Sequence, residues 1–273
     1  MRHPPLSTTL PRNRLGRGPG RLVVFQGMQF ENRPLSGLPL RFLRGLYRPL
    51  EADYTIDVVT RRPGLPAGYS LRDMSNDYAT MIREALGGPV DLIGLSTGGL
   101  IAQHFAADHP DRVRRLVLHS SAHSLSDEAK QLQVRVGDLA RERRWRAAYA
   151  ALFAFMTARG AGVGRMARVV GWLASPLGGP LLGRPADPSD MLVTYAASNE
   201  HDFRGRLAEI NAPTLVAAGD RDPFYTPEVF RETAEGIPNA KLVLYEGAGH
   251  PASGRRFAQD LRSFLDAGLD SDS

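Results

Sequence analysis

The sequence predicts an α/β fold: a mostly parallel sheet of about six strands, helices on both faces, and a helical cap inserted after the fourth strand. Three observations lead there. Short apolar, β-rich runs alternate with helix-patterned segments as far as residue 121, and such alternation builds parallel sheets through right-handed crossovers. The alternation stops between residues 122 and 207, where helical patterns follow one another, and then resumes. One strand also runs directly into Gly94-Leu95-Ser96-Thr97-Gly98 ahead of a helical segment, a tight strand-to-helix turn.

Taken in order, residues 21–25 form the first strand, an apolar run with little alternation that suits burial on both faces. Leu40, Phe42, Leu43, Leu46 and Tyr47 fall at helical spacing between Pro39 and Pro49. Residues 55–60 are the second strand, followed by a Pro/Gly loop over 61–68. A helix over 73–86 carries Met74, Tyr78, Met81 and Ile82 on one face and stops at Gly87-Gly88-Pro89. Strands at 90–95 and 113–119 flank a helix over 100–107 that breaks at Asp108-His109-Pro110.

In the 122–207 stretch, residues 126–142 read as a helix with Leu132, Val136 and Leu139 on one side. Trp145, Tyr149, Leu152, Phe153 and Met156 make a wide apolar stripe, and 166–174 and 189–199 are shorter helices. The regular pattern returns with strands at 214–218 and 241–245 and helices at 227–235 and 254–266. The expected division is a disordered basic tail over 1–20, a core over 21–121 and 208–267, and the helical cap over 122–207.

Composition narrows the function classes. A hydrophobic content of 42% with 23% charged residues is that of a soluble globular chain. The absence of cysteine excludes disulfides, thiolate metal sites and cysteine nucleophiles, and it fits a reducing compartment, so a cytoplasmic location is expected. The net charge of +5 does not indicate nucleic-acid binding. Arg2, Arg12, Arg14, Arg17 and Arg21 supply it before the first acidic residue, Glu31, and the rest is formally neutral. The Pro/Arg/Gly start lacks the apolar segment of a secretory signal, and no uncharged apolar run approaches the roughly 20 residues of a membrane span. The arginines at 141, 143, 144 and 146 read as a solvated face. No His/Asp/Glu group has metal-ligand spacing, so neither metal nor cofactor is expected. His104, His109, His119, His123 and His201 read as structural.

Ser96 is a candidate nucleophile. Gly94 and Gly98 relieve crowding at the turn, and the hydroxyl stands beside a helix N-terminus that favours developing negative charge. A serine at neutral pH needs a base, and the base an orienting partner. Such groups gather beyond the carboxyl ends of parallel strands. Two loops qualify: Gly219-Asp220-Arg221-Asp222-Pro223 after one late strand and Gly247-Ala248-Gly249-His250-Pro251 after the other. Either aspartate could orient His250 on this reading.

With Ser96, the 219–223 loop and His250 in that order, the chain resembles the capped, serine-nucleophile α/β-hydrolases over about residues 21–267. The resemblance selects Asp222, because relatives carry Gly-x-x-Asp at this bend with the second acid catalytic. Some relatives place the acid one strand earlier, where this chain has His119-Ser120-Ser121. It also implies an oxyanion hole from the backbone N–H groups of Thr97 and Met28. Two departures stand out. Gln26-Gly27 replaces the usual His-Gly, a loop organiser, and only the basic tail stands where relatives place an antiparallel strand pair. The second departure predicts a shortened sheet.

The function implied is a serine hydrolase acting on a small-molecule ester, thioester or lactone, or on a C–C bond next to a carbonyl, through an acyl-enzyme on Ser96. Two alternatives are an acyltransferase or perhydrolase using the same triad, and a weakly catalytic ligand-binding receptor of the same fold. Enzymes of this fold that open halides or epoxides use aspartate where this chain has Ser96. Substrate identity and oligomeric state are not legible in the sequence.

Overall fold

In the computed structural model, residues 10–157 and 164–266 are described. They form a seven-stranded sheet: β1 (Arg12–Leu15), β2 (Gly20–Phe25), β3 (Tyr54–Val59), β4 (Val90–Leu95), β5 (Val113–His119), β6 (Thr214–Gly219) and β7 (Ala240–Tyr245). The spatial order is β1-β3-β2-β4-β5-β6-β7. All pairings are parallel except that of β1 with β3 at the edge. Every residue of β4 and β6 is buried, which is why these strands read as continuous apolar runs.

The two faces are covered by different helices. On one side α2 (Leu71–Ala85), α3 (Thr97–Asp108) and α9 (Pro227–Gly236) pack on the sheet. Phe25 of β2 meets Tyr78 of α2 and Phe105 of α3 there, with ring centroids 4.1 and 5.3 Å apart. On the other side α1 (Gly37–Tyr47) and α10 (Arg255–Asp266) bury Leu43, Leu46, Phe257 and Leu261. Between β5 and β6 the described residues form no strand. They form α4 (Asp127–Arg141), α5 (Trp145–Met156), α6 (Arg165–Ala174), α7 (Gly178–Leu182) and α8 (Ser189–Asn199).

The expectation of a disordered tail over residues 1–20 fails in its second half. Arg12–Leu15 pair with Val59–Ile56, so the sheet has seven strands and its antiparallel edge. Side-chain chemistry holds this strand more than apolar burial does. Arg14 grips the buried Asp57 of β3 (Nε to Oδ1, 3.0 Å), and Asn13 brackets the backbone of Leu35 at 2.7 and 3.0 Å. Gly18 lets the chain cross β3 closely, since a Cβ there would lie 2.0 Å from the Asp53 carbonyl carbon. One of the positive charges assigned to the tail, that of Arg14, is therefore paired with a buried carboxylate of the core. Residues 1–9 lie outside the described residues, as do 267–273.

Candidate active site

Ser96 sits between β4 and α3 with φ 51° and ψ −121°, a conformation that a residue with a Cβ rarely adopts. Its surroundings make the turn possible. A Cβ on Gly94 would fall 2.4 Å from the Gly99 Cα, and one on Gly98 would fall 2.0 Å from the Phe25 carbonyl oxygen. The Ser96 N–H donates to the His119 carbonyl at 2.9 Å, tying the turn to β5. The hydroxyl is thus fixed at the N-terminus of α3, where the unpaired N–H groups and helix dipole favour negative charge.

Two loops bring the partners to it. His250, after β7, places Nε2 at 2.9 Å from the Ser96 Oγ and Nδ1 at 2.7 Å from Asp222 Oδ2. Asp222, after β6, has a fully buried side chain, and its Oδ1 accepts the Phe224 N–H at 2.9 Å. The other aspartate, Asp220, points elsewhere: its Oδ1 accepts the Gly247 N–H at 2.7 Å and so braces the loop that carries His250. Gly219 allows the two loops to touch, because a Cβ on it would lie 2.1 Å from the Ala248 carbonyl oxygen.

The Ser96–His250 pair opens onto a cavity of about 710 Å³. Met28, Phe30, Leu125, Leu132, Leu152 and Phe224 are among its walls, which are mostly apolar. Thr97, Met28 and Gln26 also line it. Thr97 is the first residue of α3, and Met28 follows Gly27, whose Cα packs toward Leu95 and Ser96.

Sequence reading missed two supports of this arrangement. The first is His119, the last residue of β5, which is fully buried and spans between Tyr47 and the His250 loop. Its Nδ1 lies 3.0 Å from the Tyr47 hydroxyl and its Nε2 2.7 Å from the Ala252 carbonyl. The geometry makes Nε2–H the donor to Ala252 and Nδ1 the acceptor from tyrosine. Ser120 Oγ accepts the Ala252 N–H at 2.9 Å, so both ends of Ala252 are held just beyond Pro251. The second is Arg61, which opens the Pro/Gly loop over 61–68 and is fully buried beneath Gln26 and Gly27. No sequence pattern marked either residue, because each acts on a backbone carbonyl distant in the chain.

His119 gives the fold a pH dependence. Burial pushes its pKa down to about 3, with the Ala252 carbonyl opposing and the His250 charge adding to the depression. His201, also buried, is pushed down to about 3. An unfolded histidine takes up a proton near pH 6.5 and these do not, so the unfolded state binds more protons below that value. Stability is therefore full above about pH 6.5 and falls as the pH drops toward 3. We expect the urea midpoint to fall between about pH 7 and pH 5, and the fall to shrink in His119→Gln, which keeps one donor and one acceptor. An unchanged slope in that variant would remove His119 from the account.

The other histidines lie away from the cavity. His123 bonds Thr233 Oγ1 through Nδ1 at 3.0 Å, and His201 stacks with Phe203 beside His104 around a separate small depression. Among the described residues no group of three or more His, Cys, Asp or Glu could hold a metal ion. No helix among them is long and apolar enough to cross a membrane.

The chain is similar to known esterases and a lactonase. A pimeloyl-(acyl-carrier protein) methyl ester esterase of Nitrosomonas europaea is 27% identical over 215 residues, covering 74% of this chain and 82% of that protein. Among solved structures, an enol-lactonase from Burkholderia xenovorans superposes with a TM-score of 0.74 at 20% identity, covering 94% of this chain and 96% of that one. A thermophilic esterase from Thermogutta terrifontis does so with a TM-score of 0.66 at 24% identity, covering 94% and 91%. At these identities the two structures speak for the fold. A family model described as the alpha/beta hydrolase family matches residues 34–260, from just before α1 to the middle of α10. The chain is an enzyme of the alpha/beta hydrolase family.

Proposed function

We propose that the protein hydrolyses a carboxylic ester with an apolar acyl group through an acyl-enzyme on Ser96. The observation that carries this reading is the unbroken hydrogen-bond chain Ser96–His250–Asp222 at the floor of an apolar cavity. His250 Nε2 accepts the Ser96 proton as Oγ attacks the ester carbonyl, and Asp222 holds the opposite nitrogen and stabilises the imidazolium. The Thr97 and Met28 N–H groups receive the oxyanion. His250 then gives the proton to the leaving alcohol. Water deprotonated by the same nitrogen attacks the acyl-enzyme and releases the acid. The esterases among the relatives support ester hydrolysis as the overall reaction.

The 122–207 stretch is assigned the role of a cap that reads the acyl group. Leu132 of α4, Leu152 of α5, Leu182 of α7 and Tyr195 of α8 supply much of the cavity wall. Each methylene buried there contributes about 0.8 kcal/mol, so kcat/KM should rise about fourfold per added methylene from p-nitrophenyl acetate toward the hexanoate. A flat chain-length series would reject the apolar-acyl assignment. The acyl-enzyme itself is tested with a fluorophosphonate probe. Labelling should map to the peptide carrying Ser96, be blocked by substrate, and disappear in Ser96→Ala. Labelling elsewhere, or none, would reject the mechanism.

A further inference from the structure

Arg61 makes no ion pair with a carboxylate among the described residues, although its side chain is fully buried. Asp190, a carboxylate that acts on it through space, is occupied by the Gly64 and Leu65 N–H groups at 3.0 and 2.7 Å. The guanidinium instead donates to two consecutive backbone carbonyls: Nη1 to Gln26 O at 3.3 Å, and Nη1 and Nη2 to Gly27 O at 3.3 and 3.2 Å. A buried cation placed on backbone oxygens is costly unless those contacts do something a neutral residue could not. The Gly27 carbonyl and the Met28 N–H belong to one planar trans peptide, so they point in opposite directions. Fixing one fixes the other.

We infer that Arg61 is a positioning residue for the oxyanion hole: by holding the Gly27 carbonyl it aims and polarises the Met28 N–H toward the reacting carbonyl. The inference rests on the serine-hydrolase reading above. It also accounts for Gln26, since a loop anchored from beneath by a guanidinium fork no longer needs a histidine side chain to organise it. Nη1 alone reaches both carbonyls and Nη2 adds a second bond to the Gly27 oxygen, so a lysine ammonium can keep the bridge but loses the fork that fixes the Gly27 carbonyl from two sides. Arg61→Met should lower kcat on p-nitrophenyl butyrate about 10²-fold, within the range for loss of an oxyanion donor, with KM little changed. Affinity for a boronic-acid transition-state analogue should fall in parallel. Arg61→Lys should give an intermediate loss and decides the matter if the methionine variant does not fold. Retention of kcat within about twofold in a folded variant would reduce Arg61 to a structural role. Activity surviving Ser96→Ala would overturn the underlying reading, so the two failures are distinguishable.

A second inference comes from α6. Met166, Val169, Val170 and Leu173 recur at helical spacing and are 76%, 49%, 39% and 65% exposed, so the apolar stripe of this helix faces outward. Its other side lies on α5: a Cβ on Gly171 would fall 2.3 Å from the Ala150 carbonyl oxygen. Trp172 stands exposed at the flank with the Arg146 guanidinium 4.3 Å above its ring. Arg143, Arg184 and Arg144, the last ion-paired with Glu142 at 3.0 Å, line a depression together with Trp172, and Arg165 and Arg168 are exposed on α6 itself. From residue 143 to 186 the sequence holds seven arginines and no aspartate or glutamate.

We propose that this face docks on an anionic lipid surface. The outward stripe suits the headgroup–acyl boundary, the arginines suit the phosphates, and tryptophan favours that interface. A second copy fits worse. A two-fold contact would oppose like charges, and one four-residue stripe is small beside the roughly 800 Å² per partner of a stable interface. The test is co-sedimentation of the full chain with phosphatidylcholine vesicles, with and without one-third phosphatidylglycerol. Binding should require phosphatidylglycerol, weaken with salt, and fall about thirtyfold in Arg165→Ala/Arg168→Ala. Tryptophan emission should shift to the blue on binding, and not in Trp172→Phe, because Trp145 is already buried. Met166→Ser/Leu173→Ser should bind at least about tenfold more weakly and keep full activity on a water-soluble ester. Equal binding to both vesicle types, or none, would overturn the proposal. So would a dimer abolished by the serine variant, which would make the face a contact between copies.

Discussion

Replacing Ser96 by alanine is expected to lower kcat/KM on p-nitrophenyl butyrate by about 10⁴–10⁶-fold, the usual cost of removing a triad nucleophile. The size of the effect follows from the site having one hydroxyl in the right place. Oγ lies 2.9 Å from His250 Nε2, and the strained turn between β4 and α3 fixes it there. Stability should change little. Alanine keeps the Cβ that the turn already accommodates at φ 51°, and the Ser96 backbone keeps its bond to the His119 carbonyl. A comparison of Ser96→Ala and wild type by steady-state rate and urea unfolding therefore separates chemistry from folding. A loss of only a few-fold, with the fold intact, would require another nucleophile.

What the sequence made legible depended on how local the signal was. The strand-to-helix turn at Ser96 is written in five adjacent residues, because the steric demand falls on positions 94 and 98 of the same turn. The loops of Asp222 and His250 could be placed because each directly follows an apolar strand, and parallel strands deliver their carboxyl ends to one edge. Distinguishing Asp222 from Asp220 needed a family resemblance. Two residues apart in one loop, the two acids differ in which loop atoms they reach, and no local pattern encodes that.

The misses share a physical cause. β1 was hidden because four residues of Arg-Asn-Arg-Leu carry little apolar signal. Its partner contacts, Arg14 to Asp57 and Asn13 to Leu35, are 43 and 22 residues distant. The sequence marks Arg61 only as part of a Pro/Gly loop and His119 only as a structural histidine for the same reason. Each is buried, and each is satisfied by a backbone carbonyl supplied from far along the chain. Polar side chains that hold backbone leave almost no trace in hydrophobic periodicity, whereas the helices facing the core were placed by it.

Asp222→Asn is expected to reduce kcat about 10⁴-fold, although the replacement is nearly isosteric. The reason lies in how the carboxylate is divided. Oδ1 already accepts the Phe224 N–H at 2.9 Å, and Oδ2 accepts from His250 Nδ1 at 2.7 Å. An asparagine has only one acceptor oxygen to serve both donors. If that oxygen stays with Phe224, the amide NH₂ faces Nδ1, which must then be the unprotonated nitrogen. The proton moves to Nε2, and Nε2 can no longer accept from Ser96. If the amide flips, its NH₂ meets the Phe224 N–H donor inside a fully buried pocket, which costs about as much as leaving a buried group unpaired. Either way the base is lost or the loop is strained. Asp220→Asn carries no such conflict, because its one bond, from the Gly247 N–H, needs a single acceptor that asparagine retains. Its rate should stay within about threefold of wild type. Steady-state kinetics of the two variants side by side checks the assignment, and a larger loss in Asp220→Asn than in Asp222→Asn would reverse it.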